Sequence, residues 1–188
     1  MFDSEIDSHI HRIETPFGDD AHQYRSQISH EWLLDHEQAA YPRLLTRAAE
    51  AGSPAIYEML AEFGRAQAIP LLAQALEAGG LNADSAARAL ARHPQAAAGA
   101  ALNAALAGPV AAVSIAAADG LLLRWDRRHC DALIAKLAAP DELVRYHVIQ
   151  AAGRLGCIGP EILEPIAERD DNEDIRTLAS TLLEETRD

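Results

Sequence analysis

Histidines and carboxylates, the side chains that most often bind metal ions, are concentrated near the start of the chain. His9 and His11 have the spacing of a metal-ligand pair on a β-strand. The segment has no strand pattern and no partner strand, so we interpret these residues as scattered side chains of an acidic arm and predict no metal ion or cofactor. The residues considered as ligands are His9, His11, His22, His30 and His36, with Asp3, Glu5, Asp7 and Glu14.

The cysteines are Cys130 and Cys157, and neither belongs to a CxxC pair. His129 precedes Cys130, but adjacent residues on a helix point in different directions, which disfavours a cysteine–histidine nucleophile. We predict two single, partly buried thiols and therefore a cytoplasmic protein. The sequence also lacks a glycine-rich phosphate loop, a serine nucleophile elbow and a zinc finger. We predict that the chain is not an enzyme.

The segment Leu121–His129 has the most unusual local composition, because it places one tryptophan among three arginines. Tryptophan and arginine are over-represented among the residues that dominate binding energies. We predict that Arg124, Trp125, Arg127 and Arg128 contact a partner protein. In the alternative, Trp125 packs back onto the helices while the arginines pair with acidic neighbours. Four polar residues elsewhere complete the set of candidate contacts: Gln74, Glu77, Asn103 and Lys136.

The composition favours helices and an acidic surface. The 188 residues are 49% apolar but only 5% aromatic, and alanine and leucine predominate. The formal net charge of −13 argues against nucleic acids and anionic membranes as partners. The charge is −7 in residues 1–37, +1 in residues 38–139 and −7 in residues 140–188. We expect a basic partner protein; the alternative is that the acidic ends only keep terminal units solvated.

Residues 94–118 carry no charge and are numerous enough to span a bilayer. The stretch is mostly alanine, and Gly108 and Pro109 interrupt it as a boundary between two helices. We predict that these residues are buried in closely packed helices of the protein and that no segment enters a membrane.

Apolar pairs four residues apart recur along the chain, and this spacing places each pair on one helical face. Their first members are separated by 27, 30, 31 and 29 residues. The pattern predicts helical hairpins that repeat about every thirty residues. The pairs are Leu45/Ala49, Leu72/Leu76, Leu102/Leu106, Leu133/Leu137 and Ile162/Ile166, and their helices are predicted to end near Gly52, Gly79, Gly108, Pro140 and Asp170.

The unit from Asp141 to Gly156, with its Val144-Arg145 and Ala-Ala-Gly-Arg-Leu-Gly runs, resembles a HEAT repeat. The short form of this repeat occurs in bacterial HEAT-like and phycobilisome-lyase-like proteins, where the turn aspartate and the following arginine stack as a polar ladder. The residues that match the ladder here are Asp141, Arg145, Asp171 and Arg176.

The resemblance covers residues 26–188, with its strongest motifs in residues 140–188. It implies an all-α, HEAT-like right-handed solenoid of about five helical hairpins plus a C-terminal capping helix. The second helices would line a concave binding face. Residues 1–25 would precede the repeat domain as an acidic N-terminal arm.

The resemblance does not imply one activity. The pairs His30-Glu31 and His36-Glu37 resemble those with which the HEAT-like deoxyhypusine hydroxylases bind two irons. Six residues along a helix separate the pairs by about 120°, so one shared site is disfavoured. A HEAT-like DNA glycosylase would need a basic channel, which the net charge disfavours. A bilin-lyase-like or metal-dependent protein that uses the N-terminal histidines and acids is the alternative to a binding module.

We therefore expect a non-catalytic, acidic protein-binding module. Its concrete form would be a bacterial immunity or inhibitor protein that blocks a basic toxin such as a nuclease.

Overall fold

The computed structural model describes residues 2–15 and 20–186, and within these ranges it contains twelve α-helices and no β-strand. This confirms the all-α fold. Short 3-10 turns at Gly80–Asn82 and Arg127–His129 precede the sixth and ninth helices. The helices are α1 Phe2–Glu14, α2 Asp20–Asp35, α3 Glu37–Ala51, α4 Pro54–Phe63, α5 Ala68–Glu77, α6 Ala83–Arg92, α7 Ala96–Ala107, α8 Ala111–Arg124, α9 Cys130–Lys136, α10 Glu142–Arg154, α11 Pro160–Arg169 and α12 Glu173–Glu185.

From α3 onwards, consecutive helices pack in pairs and the pairs form two rows. In the second-helix row, α4, α6, α8, α10 and α12 each contact the next. In the first-helix row, α3, α5, α7 and α9 do the same. Neighbours in the second-helix row run parallel: Asn172 Nδ2, before α12, donates to Glu142 Oε2 at the start of α10, 2.9 Å away.

Hydrogen bonds between neighbouring pairs join residues about thirty positions apart, which is the separation that the sequence pattern predicts. In each bond a side chain donates to a backbone carbonyl in a turn of a neighbouring pair; the donor is the later residue in three of them and the earlier residue in the bond from Arg127. Such bonds matter because the last carbonyls of a helix have no partner within it. They run from Asn82 to Gly52 O, from Gln95 to Gly64 O, from Lys136 to Gly108 O and from Arg127 to Gly156 O.

The first helix is part of the core, although residues 1–25 were expected to form an acidic arm. Ile6, Ile10 and Ile13 are buried, and α1 contacts α2, α3 and α4. Ion pairs tie the polar side of α1 to α3: Arg43 contacts Asp3 and Asp7, and Arg47 contacts Glu14.

Cys130 and Cys157 form a disulfide, so the prediction of two single thiols is wrong. Cys130 begins α9 and Cys157 lies just after α10. Because the two helices form an antiparallel pair, the start of one lies beside the end of the other. A search for short cysteine motifs does not detect such a bond, since 27 residues separate its partners.

The uncharged stretch from 94 to 118 forms most of α7 and α8, and the predicted break at Gly108 and Pro109 separates these helices. Leu102, Leu106 and Ala117 are fully buried in them. Among the residues that the structure describes, no helix combines the length and apolarity needed to cross a bilayer.

Candidate functional site

The turn between α8 and α9, residues 124–129, exposes the largest side chain of the predicted partner site. We call it the Trp125 turn. Trp125 ends α8 with φ 55° and ψ 40°, the left-handed region, and its side chain is 65% exposed. Among the described residues it is the one non-glycine residue with positive φ. This conformation costs a residue with a Cβ atom about 1–2 kcal/mol, so the surrounding contacts must hold it.

Arg124 provides one of these contacts. Its side chain is only 10% exposed, and its guanidinium group donates to backbone carbonyls at and beyond the end of α6. The last carbonyls of α6 have no partner within that helix. Arg124, at the end of the neighbouring helix α8, therefore caps α6. The accepting oxygens belong to Leu90, Ala91, His93 and Gln95.

Asp126 holds the other side of the Trp125 turn. Its side chain is 9% exposed and accepts hydrogen bonds from the backbone N, Nε and Nη2 of Arg128. These bonds outweigh the effect of burial and hold the pKa of Asp126 far below its usual range. A methyl group on Gly99 of α7 would lie 2.8 Å from His129 Nε2 and 3.1 Å from Arg124 Nε. Glycine at this position therefore lets the turn pack closely on α7.

The structure thus divides the four predicted contact residues of this segment. The Arg124 side chain is only 10% exposed, Arg127 donates to Gly156 O at 2.8 Å, and Arg128 pairs with Asp126. Arg128 pairs with an acidic neighbour, as in the alternative expectation, whereas Arg127 bonds to a backbone carbonyl; both residues remain exposed, and their contact with a partner stays a prediction. The Trp125 indole does not pack back and remains exposed.

The other four candidate contacts lie in the first-helix row, whereas the resemblance implies binding through second helices. Gln74 and Glu77 are exposed on α5, and Asn103 is partly buried on α7. Lys136 on α9 donates to Gly108 O at 2.8 Å, so its ammonium group already has a partner.

The residues assigned to a polar ladder make different bonds from those expected. Asp141 caps its own helix by accepting from Val144 N at 3.0 Å. Arg145 bonds to Asp170. Burial raises the pKa of that carboxyl, but the hydrogen bonds from Arg145 and from Asn172 N, together with the charges of Arg145 and Arg176, lower it overall. Asp171 is exposed, while Arg176 donates to Asp170 O at 2.7 Å. The link between α10 and the turn before α12 therefore runs through Asp170.

The N-terminal histidines contact an aromatic ring and carboxylates. His9 and His36 stack on Trp32, with ring centroids 4.2 and 3.9 Å from it. His30 Nε2 lies 2.7 Å from Glu62. His11 is exposed, and the side chain of His22 lies outside the described residues. In the part of the chain that is described, no three histidine, cysteine or acidic side chains are grouped to hold a metal ion.

Two concave surfaces were not predicted from the sequence. A cavity of about 650 Å³ lies between α1, α2 and α4, beside His30 and Glu58, whose side chains pair with those of Glu62 and Arg92. A groove of about 550 Å³ lies between α10 and α12 and is lined by Leu143, among others. Neither surface depends on a short motif, because each forms where separate helices meet.

No protein-family model matches the chain, and no curated protein is significantly similar to it.

Proposed function

We propose that the chain is a non-catalytic protein-binding module, anchored on its partner by Trp125. In this proposal the paired helices continue as a right-handed, HEAT-like solenoid of about five hairpins with a capping helix at the C-terminus. The observation that carries the proposal is the exposed indole of Trp125 on a strained but firmly held turn.

A structural role does not explain Trp125. Its side chain is mostly exposed, so it contributes little burial, and its backbone conformation opposes stability. Arg124 and Asp126 lie on either side with side chains 10% and 9% exposed, and their bonds fix the direction in which the indole projects. A preorganised aromatic side chain loses little entropy on binding and buries a large area, which is how hot-spot residues act.

The charge of the chain supports a basic partner, and a toxin-blocking immunity or inhibitor protein remains the concrete form of the proposal. A net charge of −13 would speed the association with such a partner at low ionic strength. The expectation of a cytoplasmic location rested in part on two single thiols. The disulfide removes that support and favours an oxidising compartment.

Replacing Trp125 with glycine tests the proposal. Glycine adopts positive φ freely, so Trp125→Gly should unfold at the same or a higher denaturant concentration than the parent chain. Immobilised parent chain should retain a basic protein from native lysate at low salt and lose part of it at high salt, as read by mass spectrometry. The glycine variant should lose most of that protein at both salt concentrations.

Ile28→Ser is the matched control, since it removes a 43% exposed apolar side chain from α2, which lies before the first of the paired helices and away from the Trp125 turn. It should retain the partner. Equal retention by Trp125→Gly and the parent would contradict the proposal. So would a large loss of stability in the glycine variant, because it would show that Trp125 is structural.

A further inference from the structure

The groove of about 550 Å³ between α10 and α12 is lined by apolar side chains of both helices. We call it the α10/α12 groove. Ile175 and Leu178 of α12 are buried, whereas Leu143 of α10 is 59% exposed and Tyr146 is partly exposed. A leucine left this open contributes little burial to the stability of the chain. Leu143 is therefore available to cover an apolar group that enters the groove.

The walls of the α10/α12 groove also carry hydrogen-bonding groups. Gln150 is partly exposed and Thr177 is exposed, and among the described residues neither side chain has a hydrogen-bond partner. His147 is held by Asp119 of α8, whose Oδ1 lies 2.8 Å from its Nδ1. A side-chain amide has donors and an acceptor, as a peptide group does, so these walls suit the backbone of an extended segment.

The two ends of the α10/α12 groove carry opposite charges. Because α10 and α12 run parallel, the exposed carboxylates of Glu142 and Asp174 lie at the end where both helices begin. Arg154, the last residue of α10, lies at the other end. It is exposed, and no carboxylate in the described part of the chain pairs with it. The charged ends are about 18 Å apart along α10.

The helix dipole accounts for only part of this arrangement. Acids at the start of a helix and a base at its end stabilise that helix by themselves. The dipole does not account for an exposed leucine beside the buried Ile175 and Leu178, or for the unpartnered amide of Gln150. The charges, the apolar lining and the free amide are all accounted for by an occupant of the groove.

We propose that the α10/α12 groove binds an extended segment of a partner protein with a basic side chain, an aliphatic side chain and an acidic side chain at alternate positions. Alternate side chains of a strand point the same way and lie about 6.6 Å apart, so the three cover about 13 Å of backbone. The long outer side chains bridge the rest of the distance between the charged ends. The basic one would face Glu142 and Asp174, and the acidic one Arg154.

An extended occupant fits the walls better than a helix does. A helix satisfies its own backbone N–H and C=O groups and would leave Gln150 and Thr177 without partners. The backbone of an extended segment has free groups of both kinds.

This inference rests on the proposed function as a protein-binding module but uses a different surface. Trp125 does not line the α10/α12 groove. The two surfaces can therefore be tested separately.

The probes are peptides of about nine residues, long enough to cover the groove. Lysine, leucine and glutamate occupy alternate central positions, in this order in one peptide and in the reverse order in a second, with alanine and serine elsewhere. A control peptide of the same composition has its lysine and glutamate side by side at one end. NMR titrations of the isotope-labelled full chain measure the binding. One of the two ordered peptides should bind more tightly than the control and should shift amide signals of α10 and α12.

Leu143→Ser keeps the net charge and should weaken binding of that ordered peptide by about tenfold, since the aliphatic contact is lost. Leu123→Ser is the matched control, because Leu123 is 52% exposed on α8 and does not line the groove. It should bind the peptide as the parent does.

Arg154→Glu should weaken binding of the ordered peptide and strengthen binding of a peptide in which lysine replaces the glutamate. The gain in binding shows that the variant is folded. Arg88→Glu makes the same change of charge at an exposed position of α6 outside the groove and should have neither effect.

Equal binding of the ordered and control peptides would overturn the proposal, and so would equal responses to Arg154→Glu and Arg88→Glu, because overall charge would then explain the binding. A parent dimer that Leu143→Ser abolishes, as measured by sedimentation, would also overturn it, since a second copy of the chain would then occupy the groove. Trp125→Gly should bind the peptide as the parent does. If that variant also retains the lysate partner, the role of Trp125 fails and the groove stands.

Discussion

His93 is fully buried between α6 and α7, and both of its ring nitrogens have hydrogen-bond partners. Its Nδ1 accepts from Gln95 N at 3.3 Å, and its Nε2 lies 3.2 Å from Arg65 O, to which it donates. A protonated ring could not accept at Nδ1. Burial, together with the charge of Arg124, lowers the pKa of His93 below its ordinary value of 6.5 despite the bond to Arg65.

This lowered pKa predicts a loss of stability in mild acid. Below pH 6.5 the unfolded chain binds a proton at His93 more readily than the folded chain does. The stabilising contribution of the neutral, buried ring is therefore complete above that pH and decreases as the pH falls through the folded-state pKa. Buried His9, whose pKa is also lowered by burial, acts in the same direction. Denaturation midpoints measured from pH 7.5 to 5.0 should decrease.

The His93→Gln variant separates this contribution from other titrations. Its midpoint should be lower than that of the parent at pH 7.5 but should change less on acidification. His11→Gln is the matched control, because His11 is exposed on α1. An identical pH dependence in His93→Gln and the parent would show that His93 does not contribute.

At the scale of elements, Arg124 holds α6 and α8 together more than any surface ion pair. Arg124→Ala would leave several buried carbonyls without donors and should lower the free energy of unfolding by about 3 kcal/mol. Urea denaturation measures the change. Arg88→Ala is the control, since Arg88 is exposed and bonds to Ser85 of its own helix. A loss of less than about 1 kcal/mol for Arg124→Ala would contradict the capping role.

Helix ends were more predictable from the sequence than helix faces. The ends at Gly52 and Gly108 were found because glycine and proline have strong local effects on the backbone. In α3, however, the predicted buried pair is Leu45 and Ala49. The residues that are buried, Leu44 and Ala48, lie one position earlier, and Ala49 is exposed. In a helix rich in alanine several faces are similarly apolar, so tertiary packing decides which one is buried.

At the scale of the whole molecule, the sequence predicted the thirty-residue spacing but not the contacts that depend on distant partners. The core position of α1 depends on the apolar residues Ile6 and Ile10 meeting other helices. The exposure of Trp125 follows from the buried bonds of Arg124 and Asp126. No local pattern determines the contacts of α1 and Arg124, since their partners come from other elements, whereas Asp126 bonds to Arg128 only two residues away.

The disulfide is a cross-link whose effect extends beyond its own turn. It closes the open end of the α9/α10 pair, and α9 is short, with Leu133 as its fully buried residue. A loop of this length contributes about 3–4 kcal/mol by restricting the unfolded chain.

The Cys130→Ser/Cys157→Ser variant should therefore unfold at a lower urea concentration than the oxidised parent. Dithiothreitol should lower the midpoint of the parent towards that of the variant and leave the variant unchanged. A parent that titrates two thiols when denatured without reductant would show that the bond does not form, and the cytoplasm would again be the favoured location.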